Sequence, residues 1–132
     1  MSNCIVNYKS IQDGISTVNT LRGECSCVGN LFRVVFFTEN ENKKSKHVYV
    51  RLSDNSFKIT VSGDTNYGIT VKEGESANAT ITGDGVNFPF TAYADKCRTL
   101  VSDKKAKFYA EYDIIAFNQV IKNVLSVNIE IL

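Results

Sequence analysis

Apolar and polar side chains alternate with a period of two through most of this sequence. Phe57, Ile59 and Val61 are separated by polar residues, and the segments 107–114 and 125–131 show the same pattern. Successive side chains of a β-strand point to opposite faces, so the alternation predicts strands with one buried and one exposed face. We therefore expect sheets that cover a core on one side.

The composition also favours strands. Val, Ile and Thr together number 35 residues, whereas Ala and Leu together number 13. β-branched side chains lose rotamer freedom in a helix but pack well on a sheet. Turn-forming clusters such as Ser53–Asn55, Ser62–Asn66 and Thr82–Gly85 separate the apolar runs at short intervals. These features predict an all-β fold, an antiparallel β-sandwich of immunoglobulin-like or jelly-roll-like type with eight or nine strands.

Length and charge limit the class of protein further. The 132 residues fit one domain, and we expect a single β-sandwich domain over residues 1–132. The formal net charge is +1, and no apolar run approaches the roughly 20 residues that a membrane-spanning helix needs. Residues 1–4 show neither a basic nor an apolar leader, which indicates cytoplasmic synthesis without a signal peptide. A soluble protein without membrane contact is expected.

For two apolar segments, the sequence predicts which side chains are buried. Val48, Val50 and Leu52 alternate with polar neighbours and are expected to face the core. Residues 31–38 are apolar on both faces apart from Arg33. Strands of that kind are usually buried on both sides, so this segment is predicted to be central and covered on both faces.

Three segments break the pattern. Residues 9–30 combine glycines with mixed polarity and are predicted to form an edge strand or a long loop. Residues 38–46 are predicted to be a polar hairpin loop. Pro89 cannot donate a hydrogen bond to a sheet, so its strand should lie at an edge or carry a bulge.

Residues that commonly carry catalysis or hold a cofactor are scarce. His47 is the single histidine, and its position after three lysines predicts a solvated residue at a loop end. The four cysteines show no CxxC spacing and have no second histidine to complete a zinc set. Free structural thiols are expected, and a disulfide between distant strands is the alternative. Phosphate-binding glycine motifs are absent from the sequence. We therefore predict no catalytic residue, no metal and no cofactor.

A cluster of basic residues is the best candidate for a binding surface. Lys43, Lys44, Lys46 and Arg51 would contact an acidic partner or nucleic acid if they met the basic residues of segment 96–107 on one face. The near-zero net charge argues against a dedicated nucleic-acid binder. A solvated charged face is the simpler interpretation.

One turn motif occurs twice, 20 residues apart. Gly63 and Asp64 recur as Gly83 and Asp84, and turns two hairpins apart project from the same end of a sandwich. Asp64 and Asp84 would then converge and bind calcium or a sugar. The simpler interpretation is ordinary turn chemistry, because a calcium site needs six to eight oxygen ligands.

Two short segments resemble parts of known families. Residues 69–81 resemble the strand-turn-strand of immunoglobulin-like modules, and residues 107–112 are similar to the closing strands of chaperone-usher pilins. Both resemblances imply an immunoglobulin-like sandwich, and the second implies assembly through exchanged strands.

The sequence thus predicts a non-enzymatic protein that acts through protein contacts. Our leading hypothesis is a structural or assembly subunit of a larger particle, a phage virion protein such as a capsid decoration, connector or tail component. It would form a homo-oligomer or join a particle, and would be located in the virion. The alternatives are a surface adhesion module of pilin or lectin type, and a small enzyme or inhibitor.

Overall fold

Ten strands account for most of the chain in the computed structural model, which describes residues 1–29, 31–40 and 43–132. They are β1 (Ser2–Gln12), β2 (Ile15–Val28), β3 (Leu31–Asn40), β4 (Lys43–Ser53), β5 (Ser56–Ser62), β6 (Tyr67–Lys72), β7 (Ser76–Gly83), β8 (Val86–Val101), β9 (Lys105–Ala116) and β10 (Gln119–Ile131).

The strands form one antiparallel sheet that curls into a nearly closed barrel. The order is β6-β5-β4-β3-β2-β1-β10-β9-β8-β7, so neighbours in the sheet are neighbours in sequence except where β1 pairs with β10. β6 and β7 are the two edges, and a bridge between Asn66, which precedes β6, and Thr82 of β7 brings them together. The two backbone hydrogen bonds of this bridge are 2.8 and 2.9 Å long. We call this junction the seam.

The prediction of an all-β antiparallel fold is confirmed, whereas the sheet arrangement differs from the predicted sandwich. A sandwich has two facing sheets, and here one sheet encloses the core. The described residues contain ten strands instead of eight or nine, because residues 9–30 supply most of a long hairpin. Its turn places Asp13 and Gly14 at φ values of 51° and 81°, the geometry that two-residue hairpin turns require.

The up-and-down course of the strands gives the barrel two different ends. The open end carries the turns that follow β1, β5, β7 and β9. The packed end carries the turns that follow β4, β6 and β8, and there Phe32, Phe57 and Phe108 are completely or almost completely buried. The Phe57 and Phe108 rings meet edge to face with centroids 5.1 Å apart. Large aromatic side chains therefore fill the packed end.

β8 contains the bulge that the single proline predicts for its strand. The register with β9 shifts between Ala94 and Lys96, and this changes which residues of β8 face inward. Pro89 pairs with Thr80 of β7 but precedes the first residue of β8 that pairs with β9. On its side toward β9, Pro89 is therefore unpaired, as expected for a residue without an N–H group.

The inward face of β4 is opposite to the one that the sequence predicts. His47 and Tyr49 are buried, whereas Val48 and Val50 are half-buried and Leu52 is exposed. β-branched side chains suit either face of a sheet, so apolarity alone did not identify the inner face of this strand.

β3 is likewise covered on one face only. Phe32, Val34 and Phe36 are buried, but Leu31 and Phe37 are 51% and 46% exposed. A single-layered barrel has no second sheet outside it, so the prediction of a strand covered on both faces is wrong. The hairpin loop predicted over residues 38–46 is also wrong in its extent, because β3 runs to Asn40 and β4 begins at Lys43. Residues 41 and 42 of the predicted loop lie outside the described residues.

Among the described residues, no helix has the length and hydropathy that crossing a membrane would require.

Candidate ligand cavity inside the barrel

A cavity of about 220 Å³ lies inside the barrel toward its open end. Gln12 is exposed at the end of β1, so the cavity reaches solvent there. The side chains that line it come from β1 and from β4 to β10: Tyr8, Ser10, Gln12, His47, Tyr49, Ile59, Tyr67, Ile69, Ile81, Phe90, Tyr112, Ile114, Asn123 and Leu125.

Strand register explains how separate segments supply this lining. On β1, Tyr8 and Ser10 share the inward face because they are two residues apart. The pairing of β1 with β10 sets Ser10 opposite Leu125 and Gln12 opposite Asn123. The alternation that predicts strands therefore also brings these polar side chains to one wall of the cavity.

Four tyrosines give the cavity much of its polar surface. Burial raises the pKa of Tyr67 to about 12 and also raises the pKa values of Tyr8, Tyr49 and Tyr112. The nearby phenol groups add to this for Tyr49, since each disfavours a second negative charge beside it. All four side chains are consequently neutral hydroxyls that donate and accept hydrogen bonds.

His47 is the polar side chain with the most restricted surroundings in the cavity wall. Its ring stacks on Phe36, with centroids 4.9 Å apart and planes 6° from parallel, and lies 5.8 Å from the Tyr8 ring. Nε2 is 2.9 Å from Thr38 Oγ1, whereas Nδ1 is buried without a hydrogen-bond partner. Burial lowers the pKa of His47 from 6.5 to about 4. The imidazole is therefore neutral at neutral pH, and the sequence-based prediction of a solvated residue is wrong.

The side chains that line the cavity are uncharged. Its wall combines aromatic and aliphatic surface with neutral hydroxyl, amide and imidazole groups. Within residues 1–29, 31–40 and 43–132, no carboxylate bonds to His47, and no three His, Cys, Asp or Glu side chains group to hold a metal ion. The cavity can thus exclude water and form hydrogen bonds from several sides.

Comparison with known proteins gives a family and a shared fold. Residues 6–128 match the family described as a domain of unknown function, DUF1934. The chain belongs to the DUF1934 family. The barrel is also similar to the crystal structure of the ywiB protein from Bacillus subtilis, with a TM-score of 0.83 and 16% sequence identity. That similarity covers 99% of this chain and 92% of the other, and at this identity it shows the fold alone. No curated protein matches the sequence.

The three lysines of the predicted contact surface lie at the open end of this DUF1934 barrel. Lys43, Lys44 and Lys46 are all exposed. Lys43 Nζ is 3.8 Å from a carboxylate oxygen of Asp64, and Lys44 Nζ lies 4.7 Å from the centre of the Phe37 ring. Their role in binding an acidic partner stays a prediction.

Arg51 lies apart from these lysines, at the packed end of β4. Its Nε donates to Thr99 Oγ1 at 2.9 Å, and its guanidinium pairs with Asp54. Thr99 Oγ1 in turn donates to the Ser53 carbonyl oxygen. Arg51 therefore ties the turn between β4 and β5 to β8.

Arg51 contacts β8 at Thr99, next to Arg98 of the second basic group, whereas Lys43, Lys44 and Lys46 lie at the other end of β4. Lys96 pairs with Glu111 at 3.7 Å, and Arg98 pairs with Glu73. These residues lie on β8, which β5, β6 and β7 separate from β4.

The two Gly-Asp turns lie side by side at the seam. The bridge between Asn66 and Thr82 joins the two turns, and a Cβ atom on Gly83 would lie 2.8 Å from the Asp64 carbonyl oxygen. This contact closes the seam. In the described part of the chain it forms no cluster of acidic groups that would hold a metal ion.

Sequence reasoning placed Ile59, Tyr112 and Leu125 on inward faces but missed Tyr8, His47 and Tyr49. No sequence-based prediction covers Tyr8, and His47 follows a run of lysines. His47 and Tyr49 are two residues apart on β4, so the sequence does show that they share a face of the strand. This spacing alone could not show that the shared face is the inner one.

Proposed function

We propose that this protein binds a small uncharged ligand inside the barrel. The observation that carries the proposal is a cavity of about 220 Å³ whose wall has aromatic and aliphatic surface, neutral polar groups and no ionised side chain. Small-molecule sites are mostly apolar concavities with a few placed polar groups, and mouths of β-barrels are one of their usual positions.

Because the cavity wall carries no charge, it should favour a neutral ligand over an ionised one. Burying an ion without a counter-charge costs far more than burying a neutral polar group that finds a hydrogen bond. Four tyrosine hydroxyls can serve neutral polar groups of a ligand, and Phe90 and Ile114 offer apolar contact. A neutral ligand of mixed polarity fits this wall.

Ligand-observed NMR with a set of small aromatic compounds tests the proposal. Neutral members of the set should bind, and ionised analogues of the same size should not. The Ile81→Trp variant should lose binding, because Ile81 lines the cavity and the larger side chain fills it.

Val120→Trp is the matched control. Val120 is 57% exposed near the open end and does not line the cavity, so this variant should bind like the wild type. Failure of every compound to bind folded protein, or undiminished binding by Ile81→Trp, would overturn the proposal.

The unpaired edge of β2 supports a second candidate function, the assembly subunit that the sequence predicts. Among the described residues, β2 pairs with β3 only over Gly23–Val28, whereas Ile15–Arg22 pairs with β1 alone. Ile15 and Val18 are 73% and 68% exposed. Apart from Arg22 this stretch carries no charge and no proline, the features that usually protect an edge from pairing.

Native mass spectrometry tests the assembly function. The wild type should form oligomers, and Val18→Lys should shift them to monomers, since a lysine on an edge strand opposes pairing with another chain. The control is Val120→Lys. Thr20→Lys would not serve as a control, because the Thr20 hydroxyl donates a hydrogen bond to Asn7 on β1. A wild type that is monomeric at all concentrations would contradict oligomer formation. Placement in a phage virion, an adhesion role and a small enzyme or inhibitor all stay predictions.

A further inference from the structure

Three tyrosines of the cavity wall carry hydroxyl groups without a hydrogen-bond partner. Among the described residues, nothing bonds to the hydroxyls of Tyr49, Tyr67 and Tyr112. A buried tyrosine hydroxyl usually has a partner. In the part of the chain that the structure describes, His47 Nδ1 is the side-chain polar atom that lacks both a partner and accessible surface. The three tyrosine hydroxyls therefore keep a surface that a bound molecule can reach.

This accessible surface faces the cavity. Tyr49, Tyr67 and Tyr112 all line it. Each of the three is two residues away from a buried side chain of its own strand, so strand alternation turns it toward the interior.

The tyrosine hydroxyls also lie near one another, although their strands stand on different sides of the barrel. Tyr8, Tyr49, Tyr67 and Tyr112 belong to β1, β4, β6 and β9, and no two of these strands are neighbours in the sheet. Beyond the effect of burial, the other three phenols raise the pKa of Tyr49, and Tyr67 and Tyr8 raise that of Tyr112. Side chains of unpaired strands approach one another only through the interior, so the four oxygens converge in the cavity.

A cluster of phenols is better suited to donating hydrogen bonds than to accepting them. The proton of a phenol is more acidic than that of an aliphatic alcohol, and the ring withdraws electrons from the oxygen. A carbonyl oxygen has two lone pairs and only accepts, so it can use two such donors at once. A hydroxyl group on the ligand would instead need one of the phenol oxygens as its acceptor. The cluster thus fits a carbonyl oxygen best.

Tyr67 and Tyr112 are the best placed of the four tyrosines to meet a ligand. Both are half-buried, whereas Tyr49 is 2% exposed. The Tyr8 hydroxyl already has Ser10 beside it. We therefore expect the main contacts of a carbonyl oxygen to come from the hydroxyls of Tyr67 and Tyr112.

The apolar part of the wall would hold the rest of the ligand. Phe90 meets the Tyr67 ring edge to face, with centroids 6.3 Å apart, and Ile114 also lines the cavity. A cavity of about 150 Å³ holds benzene, so the 220 Å³ here accommodates one aromatic ring with a carbonyl substituent.

We propose that the cavity takes a neutral aryl carbonyl compound, whose carbonyl oxygen accepts hydrogen bonds from the hydroxyls of Tyr67 and Tyr112. This inference rests on the proposed ligand-binding function and adds the chemical class of the ligand. It makes these two hydroxyls the groups that distinguish a carbonyl compound from a hydrocarbon of the same shape.

Titration calorimetry with acetophenone and ethylbenzene tests the proposal, because the two compounds differ only in the carbonyl group. In Tyr112→Phe the affinity for acetophenone should fall about three- to ten-fold, as expected for the loss of one net hydrogen bond. Ethylbenzene should bind this variant at least as tightly as it binds the wild type, because the ring is preserved. Tyr67→Phe should behave in the same way.

Tyr93→Phe is the matched control. It removes the same atom from a tyrosine of β8 that is 36% exposed and does not line the cavity, so both affinities should stay at their wild-type values. 1-Phenylethanol should lose less affinity than acetophenone in the two cavity variants, since its hydroxyl must also find an acceptor.

Infrared spectroscopy observes the carbonyl group directly. The difference spectrum between ¹²C- and ¹³C-labelled acetophenone isolates its stretching band, and each hydrogen bond lowers the frequency of that band. The frequency in the wild type should lie below the value in hexane and should rise in Tyr67→Phe and Tyr112→Phe.

Three results would contradict the proposal. Unchanged affinity and an unchanged carbonyl frequency in both cavity variants would overturn the carbonyl assignment and leave the ligand-binding function standing. Equal losses for 1-phenylethanol and acetophenone would overturn the same assignment, because the hydroxyls would then serve any ligand oxygen. Binding of neither compound, nor of any other neutral compound, would overturn both the assignment and the ligand-binding function.

Discussion

His47 links the stability of the protein to pH. Burial lowers its pKa in the folded state from 6.5 to about 4, so the unfolded chain takes up a proton at a higher pH than the folded chain does. Above pH 6.5 His47 is neutral in both states and contributes no pH dependence. As the pH falls from about 6.5 to about 4, proton uptake by the unfolded chain progressively destabilises the fold.

We expect the free energy of unfolding to fall by about 3 kcal/mol across that pH range because of His47, at 1.36 kcal/mol per pKa unit. Urea denaturation at several pH values measures this loss, and His47→Phe should lack it. Glu73, whose pKa is lowered by hydrogen bonds from the Cys97 N–H and from Arg98, affects stability only at more acidic pH. Parallel pH curves for wild type and His47→Phe would contradict the expectation.

Within the part of the chain that the structure describes, one backbone bridge joins the edges β6 and β7 at the seam, whereas neighbouring strands elsewhere pair along several residues. Gly83 permits the two edges to approach, because a Cβ atom there would lie 2.8 Å from the Asp64 carbonyl oxygen and 3.2 Å from a Thr65 methyl group. Gly68 on β6 has no such restriction, since its nearest neighbours to a Cβ lie at 3.8 and 3.9 Å.

Gly83→Ala should therefore destabilise the protein by about 1–3 kcal/mol through steric displacement of the turn at Asp64. Gly68→Ala is the matched control and should change stability by less than about 1 kcal/mol. Chemical denaturation of both variants provides the measurement. Equal losses for the two substitutions would show that the contact at Gly83 is not what closes the seam.

Much of the strand content could be predicted from sequence, and particular residues show why the rest could not. Alternation identified the inward residues of β5, β9 and β10 because their outer faces are polar. On β4 it failed because Val48 and Val50 lie outside while His47 and Tyr49 lie inside. The pair Asp13 and Gly14 is a strong hairpin signal that could have revealed β1 and β2.

At the scale of the whole molecule, sequence pattern does not distinguish a barrel from a sandwich. Both give strands with one buried face, and the difference depends on which distant strands pair. Here the pairing of Cys4 with Ile131 and of Gln12 with Asn123 joins the two halves of the chain into one sheet, and the bridge at the seam nearly closes it. The cavity is a consequence of that closure, so it could not be predicted before the pairing was known.

The two ends of the barrel should differ in local stability. Backbone amides of Phe108 and Val127, which lie in the buried pairing of β9 with β10, should exchange hydrogen slowly. The amides of Asn66 and Thr82 at the seam should exchange faster by on the order of 100-fold, since opening one bridge exposes them without unfolding the core. Native-state hydrogen exchange followed by NMR measures both groups. Uniform exchange rates would mean that the barrel opens only as one cooperative unit.

The pairing of β1 with β10 also makes the order of the strands circular. The Leu132 N–H donates to the Asn3 carbonyl oxygen at 3.0 Å, so a linker of a few residues would join the two ends at the packed end. A circular permutant opened at the turn of Asp13 and Gly14 would keep every strand pair of the barrel. Moving the chain termini to this turn would therefore leave the strand pairs unchanged, and the seam would stay between β6 and β7.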